Sequence, residues 1–259
     1  MSALAGRGIL ITRPAHQSAS LAARVGAAGG EAILFPALAI AGLDDPAPLR
    51  ALVARLAGFD WAIFVSPNAA SRGLDSIRAH GAWPPGLRAA AVGRSTVREL
   101  NRQGIEQVVA PHQRFDSEGL LDCPELAQVA GRRIVIFRGD GGRETLGDTL
   151  VARGATVEYA ACYRRVLPAV EPSACAALLA RWTRGDVQAV TAASTETLAN
   201  LFTLLGAEGA ARVRATPAFV PHARIAEAAR ALGVATVTVT AAGEEGLVAG
   251  LVAWFAGLR

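Results

Sequence analysis

Gly131 to Val166 reads GRRIVIFRGDGGRETLGDTLVARGATVEYAACYRRV. The apolar run Ile134-Val135-Ile136-Phe137 has the length and β-branched content of a buried parallel strand. Arg138-Gly139-Asp140-Gly141-Gly142 breaks it with residues that tolerate positive φ. From Arg143 onward Leu146, Leu150 and Val151 recur at helical spacing, and Gly154 sits where a helix would end. A second extended run, Thr156 to Ala160, leads into Ala161-Cys162-Tyr163-Arg164-Arg165. The segment predicts one strand–helix–strand unit ending in a tyrosine and two arginines.

The pattern occurs twice. Arg7 to Ala37, RGILITRPAHQSASLAARVGAAGGEAILFPA, repeats the strand, arginine-bearing turn, helix, glycine and strand. Arg13 corresponds to Arg138, an offset of 125 (138 − 13), and Ala32-Ile33-Leu34 to Val157-Glu158-Tyr159. The stretch Phe59 to Ser66 aligns with Gly185 to Thr191, and Glu118-Gly119-Leu120 with Glu245-Gly246-Leu247 at an offset of 127 (245 − 118). Small loop insertions after a duplication leave such drifting offsets. Two related α/β halves of ordinary domain size follow.

With 259 residues and 52% hydrophobic content, the chain has enough apolar surface for two cores. No stretch is long enough to span a bilayer; Leu247 to Leu258 reads as an amphipathic helix. The first residues lack the pattern of an export signal. Cys123, Cys162 and Cys175 make an odd set without metal-ligand spacing, which suits a reducing cytoplasm. All 26 basic residues are arginine, which excludes Schiff-base chemistry, pyridoxal phosphate attachment and a P-loop lysine. At net charge +4 with scattered arginines, the chain fits a small anionic ligand better than nucleic acid.

Further strands are expected at Ile9–Thr12, Ala32–Phe35, Trp61–Val65, Ala89–Gly93, Ile105–Ala110, Ala189–Thr191, Pro217–Val220 and Thr236–Thr240. Helices are expected at Ser18–Gly29, Leu49–Leu56, Arg94–Gln103, Ser173–Trp182, Thr197–Leu205 and Ile225–Leu232, with a short one from Ser117. Ser66 and Ser194 stand where a strand gives way to a helix, as cap residues do. Ligands of open α/β sheets meet these carboxyl-end tips.

Eight stretches stand out in chain order. They begin with Ile11-Thr12-Arg13-Pro14, Phe64-Val65-Ser66-Pro67-Asn68-Ala69, Ala91-Val92-Gly93-Arg94-Ser95-Thr96, Ser117-Glu118-Gly119-Leu120 and Phe137-Arg138-Gly139-Asp140. Val157 to Arg164, Ser194-Thr195-Glu196 and Arg224 to Ala229 complete the series. In their joint order and spacing they resemble the uroporphyrinogen-III synthase family. The resemblance implies two similar doubly wound parallel-sheet α/β domains joined by a two-strand linker, with the active site in the interdomain cleft. Carried over, residues 1–37 with 169–259 form one domain and 42–160 the other, with linkers 38–41 and 161–168. Repeat boundaries alone would cut the chain near Pro124.

The activity implied is cyclisation of hydroxymethylbilane, with loss of water and inversion of the last ring, by a cofactor-free cytoplasmic monomer that holds no metal. The family makes Tyr163 the catalytic candidate, a neutral phenol able to protonate or hydrogen-bond the departing hydroxyl. Tyr159 and Tyr163 share a face on a plain strand, so only an irregular strand separates them; Tyr163 is expected in the cleft and Tyr159 in the core. The eight carboxylates of the substrate call for arginines and helix N-termini: Arg13, Ser66, Pro67, Asn68, Gly93, Thr96, Arg138, Gly139, Ser194, His222 and Arg224. Backbone N–H groups at Ser66, Asn68, Thr96 and Ser194 are expected to bind more carboxylate than any one side chain. Many members carry a glycine and threonines where this chain has His222-Ala223-Arg224-Ile225, so hydroxyl contacts do not carry over there. Partners are the bilane itself and, transiently, the upstream bilane-forming enzyme, with no nucleic acid and no membrane. The alternatives are a bilobal anion-binding regulator and a nucleotide-sugar transferase; no acidic metal-binding pair supports the latter. No GxGxxG follows a strand, which argues against a dinucleotide enzyme.

Overall fold

The computed structural model describes residues 3–142 and 144–257. Arg143, the expected helix start, and Leu258, the expected end of the last helix, lie outside the described residues. In chain order the elements begin with β1 (Gly8–Ile11), α1 (Ala19–Ala27), β2 (Glu31–Leu34), β3 (Ala39–Ala41) and α2 (Ala47–Val53). Then come β4 (Trp61–Phe64), α3 (Pro67–His80), β5 (Arg88–Ala91), α4 (Arg94–Arg102), β6 (Val108–Val109) and α5 (Ser117–Leu121). The repeat resumes with β7 (Arg133–Gly139), α6 (Thr145–Ala152), β8 (Thr156–Val166) and α7 (Pro172–Thr183). It closes with β9 (Ala189–Thr191), α8 (Thr195–Ala215), β10 (Ala218–Val220), α9 (Ala223–Ala231), β11 (Val237–Val239) and α10 (Gly243–Gly257).

The chain divides into two compact units, Met1–Ala39 with Val166–Arg259, and Ile40–Arg165. The first holds a five-stranded sheet ordered β11-β10-β9-β1-β2, all parallel. The second holds six strands ordered β3-β8-β7-β4-β5-β6, parallel from β8 to β6. With β3 set aside, the two orders match strand for strand: β2 with β8, β1 with β7, and β9, β10, β11 with β4, β5, β6. Each unit thus combines the strand–helix–strand of one repeat copy with the three-strand remainder of the other.

Both sheets are covered on both faces, as buried parallel strands require. In the second unit Phe64, Val135, Phe137 and Ala160 pack with Leu52, Leu74, Ile77 and Leu100 from α2, α3 and α4. The opposite face packs Ile63, Ile134 and Ile136 on Leu120, Leu146 and Leu150 from α5 and α6. In the first unit α7, α8 and α9 cover one face and α1 with α10 the other. Phe64 and Phe137 are register partners whose rings stack at 4.8 Å and 11°. Such a pair adds about 1 kcal/mol beyond its area burial. Gly73 of α3 lies against it: a Cβ there would sit 2.7 Å from Phe137 Cδ1.

Several expectations change. Val151 is 54% exposed, so the buried stripe of α6 is Leu146 and Leu150. β6 is only Val108–Val109, because the Ile105 N–H is taken by the Leu100 carbonyl in closing α4, at 3.0 Å. The helix expected to stop at Leu205 turns at Gly206 (φ 60°) and resumes to Ala215, burying Gly209, Ala210 and Val213. The segment after Ala160 is extended, as expected, and continues β8 to Val166.

Candidate functional site at the strand tips

Each sheet has one point where strand order reverses: between β1 and β9 in the first unit, and between β4 and β7 in the second. Open parallel sheets bind ligands outside the carboxyl ends of the strands at such a point. Every expected site residue lies at the carboxyl end of a parallel strand or at the start of the helix after it, save Tyr163, late in β8.

At the reversal in the second unit, β4 ends and Ser66 caps α3, its Oγ accepting the Ala69 N–H at 3.1 Å. Pro67 takes the first helical position, where a missing N–H costs nothing. Gly139 ends β7 next door. The pairing of β7 with β8 shifts here: Arg138 faces Ala161, but Gly139 faces Tyr163, skipping Cys162. That bulge answers the question of the two tyrosines. Tyr159 lies on the α6 side, its hydroxyl donating to the Glu144 carbonyl at 3.3 Å, while Tyr163 joins the α3-side cluster. The ring of Tyr163 crosses Gly139, where a Cβ would stand 2.9 Å from Cε2, and its hydroxyl meets Ser66 Oγ at 3.1 Å. A tyrosine on β8 thereby reaches the tip of β4 over the intervening strand. Exposure is the reverse of expectation: Tyr163 is 4% exposed and Tyr159 38%.

Arg138 and Arg13 are committed to the protein. Arg138 is 8% exposed; its Nε donates to the Gly141 carbonyl at 3.1 Å, and its guanidinium lies 4.7 Å over the Tyr159 ring. Burial pushes the Tyr159 phenol up, against the opposing pull of Arg138. Gly142 (φ 119°) permits this fold-back, since a Cβ there would stand 2.8 Å from the Arg138 guanidinium. Arg13, the repeat equivalent, pairs with Glu244 at 2.9 Å. Glu244 also accepts from Ser20 at 2.6 Å, and Arg24 lies at 3.7 Å from it.

The Thr96 N–H was expected to bind carboxylate, but it donates to the Gly93 carbonyl at 3.0 Å and Thr96 is buried. Gly93 is the cap position of α4 in extended backbone. Asn68 occupies the second position of α3, partly buried. In the first unit Ser194 caps α8, accepting the Thr197 N–H at 3.0 Å with its hydroxyl 2.8 Å from that of Thr197. His222 caps α9 without a side-chain bond, and both it and Arg224 are exposed.

Sequence reasoning missed three groups. Glu244 was readable as a carboxylate at the start of the last helix, but nothing local joins it to Arg13. Thr12 and Thr191 tie the first unit's reversal point together, Thr12 Oγ1 donating to the Thr191 carbonyl at 2.7 Å and Thr191 Oγ1 to that of Leu10 at 2.9 Å. Arg94 lies 4.4 Å over Phe115, and both line a groove of about 1090 Å3 beside β6. Among the described residues no helix is long and apolar enough to cross a membrane, and no three His, Cys, Asp or Glu side chains converge on a metal position.

Two doubly wound parallel-sheet units with polar residues at their strand tips define a two-domain α/β protein. The family model described as uroporphyrinogen-III synthase HemD matches residues 19–249. Uroporphyrinogen-III synthase of Escherichia coli K12 is 33% identical over 198 residues, covering 76% of this chain and 79% of its own. That of Salmonella typhimurium is 39% identical over 159 residues, covering 61% of this chain and 64% of its own length. Among solved structures, a mutant uroporphyrinogen III synthase from the extremely thermophilic bacterium Thermus thermophilus superposes with TM-score 0.63 at 19% identity, over 98% of this chain and 100% of that one. The Helicobacter pylori enzyme superposes at 0.59 and 12% identity, over 98% and 99%. These structures share the fold. The chain belongs to the uroporphyrinogen-III synthase family.

Proposed function

We propose that this chain is a lyase that cyclises hydroxymethylbilane to uroporphyrinogen III, with loss of water and inversion of the last ring, in tetrapyrrole biosynthesis. The observation that carries the reading is the family match from residue 19 to residue 249, which takes in the reversal-point tip residues of both units other than Thr12 and Arg13. The reaction is an ionisation followed by ring closure. Nothing is oxidised or reduced, so the chemistry asks for an acid, a cation stabiliser and a mould rather than a redox cofactor.

The hydroxyl pair Tyr163 and Ser66 supplies the acid at the second unit's reversal point. Loss of water leaves an azafulvenium cation, and the outcome then turns on which carbon of the last ring lies nearer to it. Orientation of this kind is work for many modest contacts. In the second unit we assign it to Ser66, Pro67, Asn68, Gly93 and Gly139, and in the first to Arg13, Ser194, His222 and Arg224. Arg138 braces Tyr159 and the loop after β7, and acts on substrate only through them. The thiols Cys123, Cys162 and Cys175 are unpaired, in keeping with a reducing cytoplasm. Delivery of the bilane by transient contact with the enzyme that makes it is part of the same reading.

The test is to supply hydroxymethylbilane and identify the isomer formed. Type III product supports the reading, while a type I ring at the uncatalysed rate would leave only an anion-binding module.

A further inference from the structure

We propose that Ser66, rather than Tyr163, hands the proton to the departing hydroxyl, with Tyr163 as the positioning residue behind it. The inference rests on the reading that this site cyclises hydroxymethylbilane.

Accessibility comes first. Tyr163 is 4% exposed, its ring pressed on Gly139, whereas Ser66 is only partly buried, at the end of β4. A group that touches substrate must be reachable, and of the two hydroxyls the serine is the more reachable.

Proton counting comes second. A serine hydroxyl has one hydrogen and two lone pairs; a phenol has one hydrogen to give. One lone pair of Ser66 accepts the Ala69 N–H at 3.1 Å. Among the described residues the hydrogen-bond partner of the Tyr163 hydroxyl is Ser66 Oγ, at 3.1 Å. Were Ser66 the donor, the buried phenol would hold a hydrogen with no protein acceptor, a cost folded proteins avoid. The arrangement that satisfies both has Tyr163 donating to the second lone pair of Ser66. The serine hydrogen is then left to point away from the protein, polarised by two bonds received.

The step balances as two linked proton shifts. The Ser66 hydrogen passes to the hydroxyl of the hydroxymethyl group, the carbon–oxygen bond breaks with its electron pair going to oxygen, and water leaves. The Tyr163 hydrogen moves to Ser66 Oγ in the same event, so the negative charge rests on the phenol oxygen and no serine alkoxide forms. Ring closure then releases one proton from the carbon that has formed the new bond, and that proton restores the pair. Neither residue is consumed.

The experiment compares Ser66→Asn, Ser66→Thr and Tyr163→Phe with the wild type in hydroxymethylbilane turnover, each checked by thermal melting. Asparagine keeps the cap on α3 but has no hydroxyl proton, so Ser66→Asn should melt like wild type and lose about 10²-fold in kcat, the size of general-acid catalysis, with KM little changed. Ser66→Thr restores most of the rate. Tyr163→Phe should lose about tenfold, less than Ser66→Asn, because the serine still donates, unpolarised. Full kcat in Ser66→Asn overturns the assignment. So does a loss in Tyr163→Phe equal to or greater than that in Ser66→Asn, which would put the phenol itself against substrate. A wild-type protein that yields no type III product overturns the parent reading and this one with it; type III product with either of the first two results overturns this one alone.

Discussion

The ring of Tyr163 rests against the backbone of Gly139, close enough that a Cβ on Gly139 would stand 2.9 Å from Cε2, 3.0 Å from Cζ and 3.3 Å from the hydroxyl oxygen. The ring could not cross β7 to Ser66 over any other residue. Gly139 is required here for space, since its φ is not positive.

Gly139→Ala should therefore displace Tyr163 from Ser66. Overpacking of this kind costs about 1–3 kcal/mol. Turnover should fall at least as far as in Tyr163→Phe, and urea denaturation should report the stability loss. A variant with both the melt and the rate of wild type would mean that the ring is free to lie elsewhere.

Glu244 holds the charge of Arg13 in the protein as it stands. Glu244→Gln keeps an acceptor for Arg13 and Ser20 but releases the charge. The pair is partly exposed, so the expected stability loss is below about 1 kcal/mol. KM for hydroxymethylbilane should drop by a factor of about 2–5, the equivalent of a charge contact of that order. An unchanged KM would remove Arg13 from the substrate contacts.

Acid should weaken the second unit through identifiable carboxylates. The Arg133 backbone N–H holds Asp60 below the usual carboxylate range, with Arg132 adding to it. The bond from Arg55 does the same for Glu158, and that from Arg102 for Glu99. Because these groups bind protons more weakly folded than unfolded, their stabilisation is complete above the ordinary values of about 4 and is lost as pH falls through the lower folded ones. Urea midpoints should hold between about pH 5 and 7 and fall below about pH 4. Asp60→Asn combined with Glu158→Gln should flatten that fall; an equally steep fall in the double variant would assign it to other groups.

The thiols should differ in reactivity. Burial pushes Cys162 up to about 12, its Sγ donating to the Arg138 carbonyl at 3.2 Å, and burial raises Cys123 as well. Cys175 is only partly buried. Iodoacetamide at about pH 8 should label Cys175 first, with the other two reacting on unfolding. Early labelling of Cys162, read by peptide mass, would mean that β8 opens locally.

Strand identities were legible because buried parallel strands leave unbroken apolar runs, as in Trp61–Phe64 and Ile134–Phe137. Cap positions were legible too: Ser66 and Ser194 follow such runs and do cap α3 and α8. Contact partners were not, since Arg13 and Glu244 are 231 residues apart and Ser66 and Tyr163 are 97 apart. The fates of the two tyrosines depend on a register shift at Gly139 that no periodicity encodes. Ile105 reads as strand by composition, yet the end of the preceding helix claims its N–H first.

The crosswise sharing of repeat copies orders events during synthesis on the ribosome. All of residues 40–165 emerge before β9, β10 and β11 exist, so the second unit can close while β1, α1 and β2 still wait for their sheet. The opening segment must wait without β9, or be sheltered, for more than a hundred residues of elongation. Its apolar faces are then the part of the nascent chain most in need of a chaperone.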